Sequence, residues 1–408
     1  FISKNIKQLT HDTPVKKIFS AIDSHSPDSK IMYVGGCVRK IINNEKVDDI
    51  DLATNLEPKQ VCETLKKNNI KYYESGIKHG TITAVIDKFN FEITSLRQDI
   101  STDGRHAEVK FSKDWKEDAS RRDFTINSIY SDLEGNLFDP YNGKNDLEKG
   151  SINFIGDPEK RIKEDYLRIL RYIRFFINYS KQPHQLQIIR RLKVNLEGVS
   201  KLSKDRLLDE LKKMIKLDTL EKLSKDKFSL EIISIIFPEL KNIKFFSKLN
   251  VYKKDILKKN NYIFLIILLI IDDKDNLDYF LYKFNISKKD QKRIKIIDNF
   301  YKDKLVFKNL DTSYLNRIFY YEGKQAVIDI LNFKIVSSKK LDNSLITLCE
   351  IYRKRDIPIM PITANKLMNE YQIPEGKQLG LKLKKIEDEW IKNNFQISDK
   401  QVAEIIKN

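Results

Sequence analysis

The first chemistry in the sequence is Asp48-Asp49-Ile50-Asp51-Leu52-Ala53-Thr54. Alternate side chains of a strand share a face, so Asp49 and Asp51 project together while Ile50 and Leu52 turn toward a core. Two carboxylates so placed repel one another and raise their pKa values unless a cation lies between them. Hard Mg²⁺ ions carrying a nucleoside triphosphate would relieve that conflict. Taken alone, Asp-x-Asp is commonly a solvated strand end. The balance shifts with the element just before it, Tyr33-Val34-Gly35-Gly36-Cys37-Val38-Arg39, a strand that ends in two glycines and runs into a helix. Without side chains at Gly35 and Gly36 the backbone N–H groups can approach an anion, and Arg39, one turn later, can clamp phosphate oxygens. A lone Gly-Gly pair is more often a tight turn, but followed closely by Asp-x-Asp it points to a metal and triphosphate site.

Glu92, in Asn90-Phe91-Glu92-Ile93-Thr94, alternates with two apolar neighbours and offers a third carboxylate, although a lone strand Glu is usually surface. Next comes Ala119-Ser120-Arg121-Arg122-Asp123-Phe124-Thr125-Ile126-Asn127, where the aspartate beside two arginines is expected to hold one guanidinium and leave the other for a triphosphate or ribose. In isolation this is equally a helix cap with solvated arginines. Further on, Asp165, Arg168, Arg171 and Arg174 recur every third residue, which on one helix forms a slanting ridge beside Leu167, Leu170 and Ile173. Such a face can present fixed donors and an acceptor to a nucleobase edge and its phosphates, or be ordinary solvated charge.

The elements that must position these residues divide the chain. Strand-like runs at Ile31 to Val34, Ile50 to Ala53, Thr81 to Ile86 and Phe91 to Leu96 alternate with helical ones up to about residue 150. From Asp157 onward the pattern is helical, with breaks expected at Lys181–His184, Phe237–Pro238 and Asp356–Pro361. At 408 residues the chain exceeds one ordinary core and should hold two to four domains. Lys and Arg number 75 against 58 Asp and Glu, a surplus of 17 that suits a polyanionic partner such as nucleic acid; Lys-, Ile- and Asn-rich composition of AT-rich genomes produces the same imbalance. Cys37, Cys62 and Cys349 fit neither a disulfide framework nor a zinc cluster, so a reducing, cytoplasmic setting is expected. The run Tyr262 to Ile271 is about half the length that spans a bilayer and reads as a buried helix, and no signal peptide is expected at the start. No P-loop is present, and none of the five histidines pairs with another as a metal-dependent phosphohydrolase requires.

In their order these elements resemble the class II tRNA nucleotidyltransferase and bacterial poly(A) polymerase family, a branch of the polymerase-β superfamily. The likeness covers about residues 30 to 215, including Leu196-Glu197-Gly198-Val199-Ser200 and Ser203-Lys204-Asp205-Arg206, and more loosely Pro361 to Lys392. It implies an α+β fold, with a polymerase-β-like head of mixed sheet and helices over 1–150. An all-helical neck (151–215), body (216–300) and tRNA-binding tail (301–408) would follow. It further implies that Asp49 and Asp51 bind Mg²⁺ with Glu92 as third catalytic carboxylate. Gly35, Gly36, Arg39, Arg122, Arg171 and Arg174 would contact the nucleotide, while Asp165 and Arg168 read the base and so select CTP or ATP for the 3′ end of tRNA. The segment Arg97 to Arg105 resembles the mobile loop that helps the switch from C to A addition. Two departures stand out. The family has Asp after the arginine of the first motif where this chain has Lys40, and Glu-Arg where it has Asp205-Arg206.

Rival readings remain distinct. Gly76-Ile77-Lys78-His79-Gly80-Thr81 resembles the CCA-adding type more than a poly(A) polymerase, whereas an enzyme adding only CC or only A would keep nearly every motif. A catalytically silent RNA-binding protein would be expected to lose the carboxylates, and an enzyme nucleotidylating a small molecule would not need a long basic helical half.

Overall fold

The computed structural model describes residues 1–102 and 107–407, and the chain forms two compact units, 1–214 and 215–408. In the first, α1 (Ile2–Asp12) and α2 (Val15–Asp23) precede β1 (Ile31–Val34), which passes through Gly35 into α3 (Gly36–Ile42). Then come β2 (Ile50–Thr54), α4 (Pro58–Lys67), β3 (Lys71–Gly76), β4 (Thr81–Ile86), β5 (Phe89–Ser95), β6 (Arg97–Thr102), β7 (Ala107–Phe111), α5 (Trp115–Ser120), β8 (Tyr130–Ser131) and β9 (Leu137–Phe138). Seven strands form a sheet in the order β3-β4-β5-β2-β1-β8-β9, while β6 and β7 pair separately. Only β2 and β5 run parallel in the larger sheet, which is therefore mixed, as expected.

The expected strands are present: Ile31–Val34 and Thr81–Ile86 have the expected bounds, β2 runs one residue further to Thr54, and β5 is shifted. β5 begins two residues early because the turn before it is only Asp87-Lys88, with Asp87 at φ 53° and Ile86 opposite Phe89; a two-residue hairpin needs such a positive φ. β3 escapes sequence reading because it is a largely exposed edge strand with no apolar alternation. One sheet face, carrying Tyr33, Leu52, Phe91 and Ile93, packs on Phe19, Val38, Val61 and Leu65 of the helices. The other face carries Val34, Ala53 and Tyr130 against Ala119 and Trp115. Strand alternation puts Asp51 and Glu92 on this second, thinly covered face.

The rest of the first unit is α6 (Gly143–Lys149), α7 (Pro158–Glu164), α8 (Leu167–Tyr179), α9 (Leu186–Val194) and α10 (Lys204–Met214). The continuous ridge expected from Asp165 to Arg174 is interrupted. Asp165 is extended, at φ −154°, between α7 and α8, and its carboxylate accepts from the Leu167 N–H at 3.1 Å. An aspartate that satisfies an orphan N–H at a helix start competes with its own place inside a helix. Only Arg168, Arg171 and Arg174 share α8.

The second unit is helical throughout its described residues. Helices end at Ile236 and Lys354, next to two of the expected breaks, and α8 ends at Tyr179 beside the third. The helix Tyr262–Ile270 is buried at every position from Ile263 onward, and no described helix is long and apolar enough to cross a membrane. Arg293 forks onto fully buried Asp329 at 2.6 and 2.9 Å, tying helix Lys288–Lys302 to helix Lys324–Ser337. A separate small core of Ile362, Leu367, Leu379, Ile386 and Val402 lies near the C-terminal end.

Candidate active site

The glycine turn after β1 is the centre of the site. Gly35 sits at φ +67°, a conformation that side-chain-bearing residues rarely adopt. A Cβ there would lie 3.6 Å from Nη1 of Arg122; one on Gly36 would lie 3.8 Å from Nη2 of Arg39 and 3.9 Å from Oδ2 of Asp51. The turn thus collects two guanidinium groups and a carboxylate around bare backbone. Asp51 is opposite Glu92 in the parallel β2–β5 register, and Asp49 lies exposed one residue before β2. Burial raises the pKa of Asp51, the Glu92 charge raises it further, and Asp49 adds to this against the opposing pull of Arg122 and Arg39. Among the described residues no group of three or more His, Cys, Asp or Glu side chains is placed to hold a metal ion by itself. Asp51, opposite Glu92 and close enough to Glu92 and Asp49 for both to raise its pKa, offers oxygen donors under excess negative charge. That suits a hard cation which keeps waters and takes its remaining ligands from substrate phosphates.

The arginines are held individually. Both Arg121 and Arg122 pair with buried Asp118, at 2.9 and 3.2 Å, one turn back along the chain. This corrects the expectation that neighbouring Asp123 would hold one of them. The reason is helical spacing: three and four residues put Asp118 on their side, whereas adjacent residues diverge. Burial by itself would raise the Asp118 carboxyl, but Arg122, Arg121 and the Tyr130 hydroxyl outweigh it and hold the pKa at about 2. Asp123 instead accepts from Nε of Arg171 and, at 2.9 Å, from Nδ2 of Asn127; burial opposes, yet Arg171 and these donors keep it well below the usual carboxylate range. Arg174 pairs with buried Glu210 on α10. The guanidinium groups of Arg39, Arg171 and Arg174 all face the Phe175 ring, at 4.7, 5.4 and 4.2 Å from its centroid, within cation–π reach.

The two residues expected to read the base lie at the start of α8. Nη1 of Arg168 donates to Glu164 at 2.8 Å and to the Arg161 carbonyl at 2.6 Å. Asp165 receives a bidentate fork from Arg206, at 2.8 and 3.2 Å. The replacement of Glu by Asp205 falls on an exposed position beside Arg206. Tyr166, which links the two helices, lies so close to Gly198 that a Cβ there would sit 2.1 Å from its ring. Lys40 turns away to pair with Asp48 at 2.9 Å, so Arg39 is not oriented by the position after it. Arg39 is buried, donates from Nη1 to Oδ1 of Asn127, and packs over Phe175 and Tyr179. Asp103-Gly104-Arg105, in the expected mobile loop, lies outside the described residues.

Sequence reading left Asp118, Asn127, Glu164 and Glu210 without roles. Asp118 was findable from its helical spacing to the arginines. Glu210 also left a signal, as an acid within the apolar stripe Leu207, Leu208, Leu211 and Met214. Nothing local marks Asn127, whose partner Arg39 is 88 positions away.

A family model described as the poly A polymerase head domain matches residues 31–153. The mouse protein named "CCA tRNA nucleotidyltransferase 1, mitochondrial" is 31% identical over 394 residues, covering 93% of this chain and 86% of its own length. The chain belongs to the CCA tRNA nucleotidyltransferase family. Within that family, the CCA-adding enzyme of Lactobacillus johnsonii is 37% identical over 186 residues, about 45% of each chain. The fold is shared with the Bacillus stearothermophilus CCA-adding enzyme solved with CTP, at 20% identity and a TM-score of 0.71 over 97% of both chains.

Proposed function

We propose that the first unit transfers nucleotides from CTP and ATP to the 3′ end of tRNA, adding C, C and A without a nucleic-acid template and releasing pyrophosphate. The observation that carries this reading is the meeting of Gly35, Gly36, Arg39 and Arg122 beside Asp51 and its strand neighbour Glu92, in a chain related over 93% of its length to a CCA tRNA nucleotidyltransferase. Asp49 and Asp51 would hold divalent cations, for which Mg²⁺ is the proposal, with Glu92 as the third acid. Such ions make the attacking 3′-hydroxyl more acidic and neutralise charge building on the leaving pyrophosphate. The bare backbone at Gly35 and Gly36 admits the triphosphate, and Arg39 and Arg122 receive its oxygens. Arg171 and Arg174 add positive charge from α8. Asp165 and Arg168, fixed by Arg206 and Glu164, present an acceptor and a donor to the base edge.

On this reading 1–150 is the catalytic head and 151–215 the base-selecting neck, while 216–300 and 301–408 are a body and tail that carry the tRNA. The three cysteines are buried and unpaired, which suits a reducing compartment such as the cytoplasm; the mammalian relatives are named mitochondrial. Purified protein given a tRNA lacking its CCA end, with CTP and ATP separately and together, should add CCA only when both are supplied. Sequenced products ending in an A tail would make it a poly(A) polymerase, and CC or A alone would make it a partial enzyme. No addition under any condition would overturn the reading.

A further inference from the structure

The geometry points to Asn127 as the positioning residue for Arg39, a role within the nucleotide site proposed above and dependent on that proposal. Its side chain has one atom on each of two partners: Oδ1 accepts from Nη1 of Arg39, and Nδ2 donates to Oδ1 of Asp123 at 2.9 Å. The other Asp123 oxygen accepts from Nε of Arg171. One buried amide therefore ties the arginine of the glycine turn to an arginine of α8 through a single carboxylate. Its amide orientation is dictated, since the nitrogen must face a carboxylate and the oxygen a guanidinium.

The consequence for Arg39 is a division of labour among its nitrogens. Nη1 is bound inward by Asn127, Nε is buried without a hydrogen-bond partner, and Nη2 lies toward Gly36 and Asp51. The guanidinium carbon lies over the rings of Phe175 and Tyr179, 4.7 and 5.1 Å from their centroids; such ring contacts carry little directional preference among the nitrogens, so a hydrogen bond is what fixes which one points inward. Lys40, where the family's motif carries a carboxylate, is engaged with Asp48 and takes no part. A neutral amide suits this place better than an acid would. It orients Arg39 without cancelling its charge, and the charge of Asp123 is already matched by Arg171.

The test is a double-mutant cycle between Asn127→Ala and Arg39→Ala, read as KM for CTP and ATP, KM for tRNA and kcat, with thermal melts run on every variant. Arg39→Ala should raise the nucleotide KM on the order of tenfold or more, as loss of a charge-assisted phosphate contact does. Asn127→Ala should raise it by a similar factor while leaving the KM for tRNA unchanged. The double variant should be no worse than Arg39→Ala alone, because Asn127 acts only through that arginine. Asn127→Ser, which keeps a short acceptor, should recover part of the loss and serves as the milder variant if Asn127→Ala melts early. If Arg39→Ala leaves nucleotide KM unchanged, the nucleotide site itself is misassigned. If Arg39→Ala is impaired but Asn127→Ala is not, or if the two losses multiply, the positioning role is wrong and the site stands.

Discussion

The two units use positive charge differently. Twelve of the sixteen arginines lie in the first, yet eleven of the seventeen surplus positive charges lie in the second, almost entirely as lysine. In the first unit buried acids hold arginines whose free edges converge: Asp118 holds Arg122, Asp123 holds Arg171 and Glu210 holds Arg174, and three guanidinium groups share the Phe175 ring. In the second, Arg293 pairs with Asp329 between two helices and Lys283 with Glu239 in the turn after helix Lys227–Ile236, and the excess is carried by flexible ammonium groups. Arginine's planar fork suits fixed recognition of a phosphate, while lysine's point charge suits a backbone met in many registers. The comparison teaches that an arginine on a buried acid is by itself a structural device, as Arg293 on Asp329 shows; what sets the first unit apart is that several such arginines converge on one ring.

The sharpest way to break this contrast is at the carboxylates. Asp51→Ala should reduce nucleotide incorporation by about a thousandfold or more in single-turnover assays, with tRNA binding nearly intact; normal turnover would remove the metal assignment. Next in size are the buried pairs. Asp123→Ala and Asp329→Ala should each destabilise their own unit by roughly 3–5 kcal/mol, since each strands a guanidinium. Only the first should also raise the nucleotide KM. Denaturant unfolding alongside kinetics checks this, and an equal effect of both on KM would erase the distinction between the units.

Asp118 gives a smaller, pH-dependent effect. Its folded pKa of about 2 lies below the ordinary 3.8, so its stabilisation is present above the ordinary value and is lost as pH falls through the folded one. The difference corresponds to about 2 kcal/mol. Asp118→Asn should therefore be less stable than wild type at neutral pH, with the gap closing between about pH 4 and pH 2. A constant gap across that range would show that the charge of Asp118 does no stabilising there. The smallest effect belongs to the lysines. Replacing Lys288 and Lys289 by Ala should weaken tRNA binding only a few-fold at low salt, flatten its salt dependence slightly and leave nucleotide KM alone; an unchanged salt slope would remove these two from the acceptor surface.

Much of the candidate site's layout was legible because its parts are local. The glycine turn, the Asp-x-Asp strand and the helix carrying Arg168, Arg171 and Arg174 are each set by neighbours along the chain, through period-two and period-3.6 patterning and the conformational freedom of Gly35. The residue pattern likewise determined a helical second half and a helix at Tyr262–Ile270 buried from Ile263 onward. Tertiary structure alone decided which acid holds which arginine. Asp123 reaches Arg171 across 48 positions, Asp165 reaches Arg206 across 41, and Glu210 reaches Arg174 across 36. Adjacency suggested other partners because charge pairing acts through space at a few ångströms, and the chain path that closes those distances is chosen by packing of the apolar faces around Phe124, Tyr172 and Phe175.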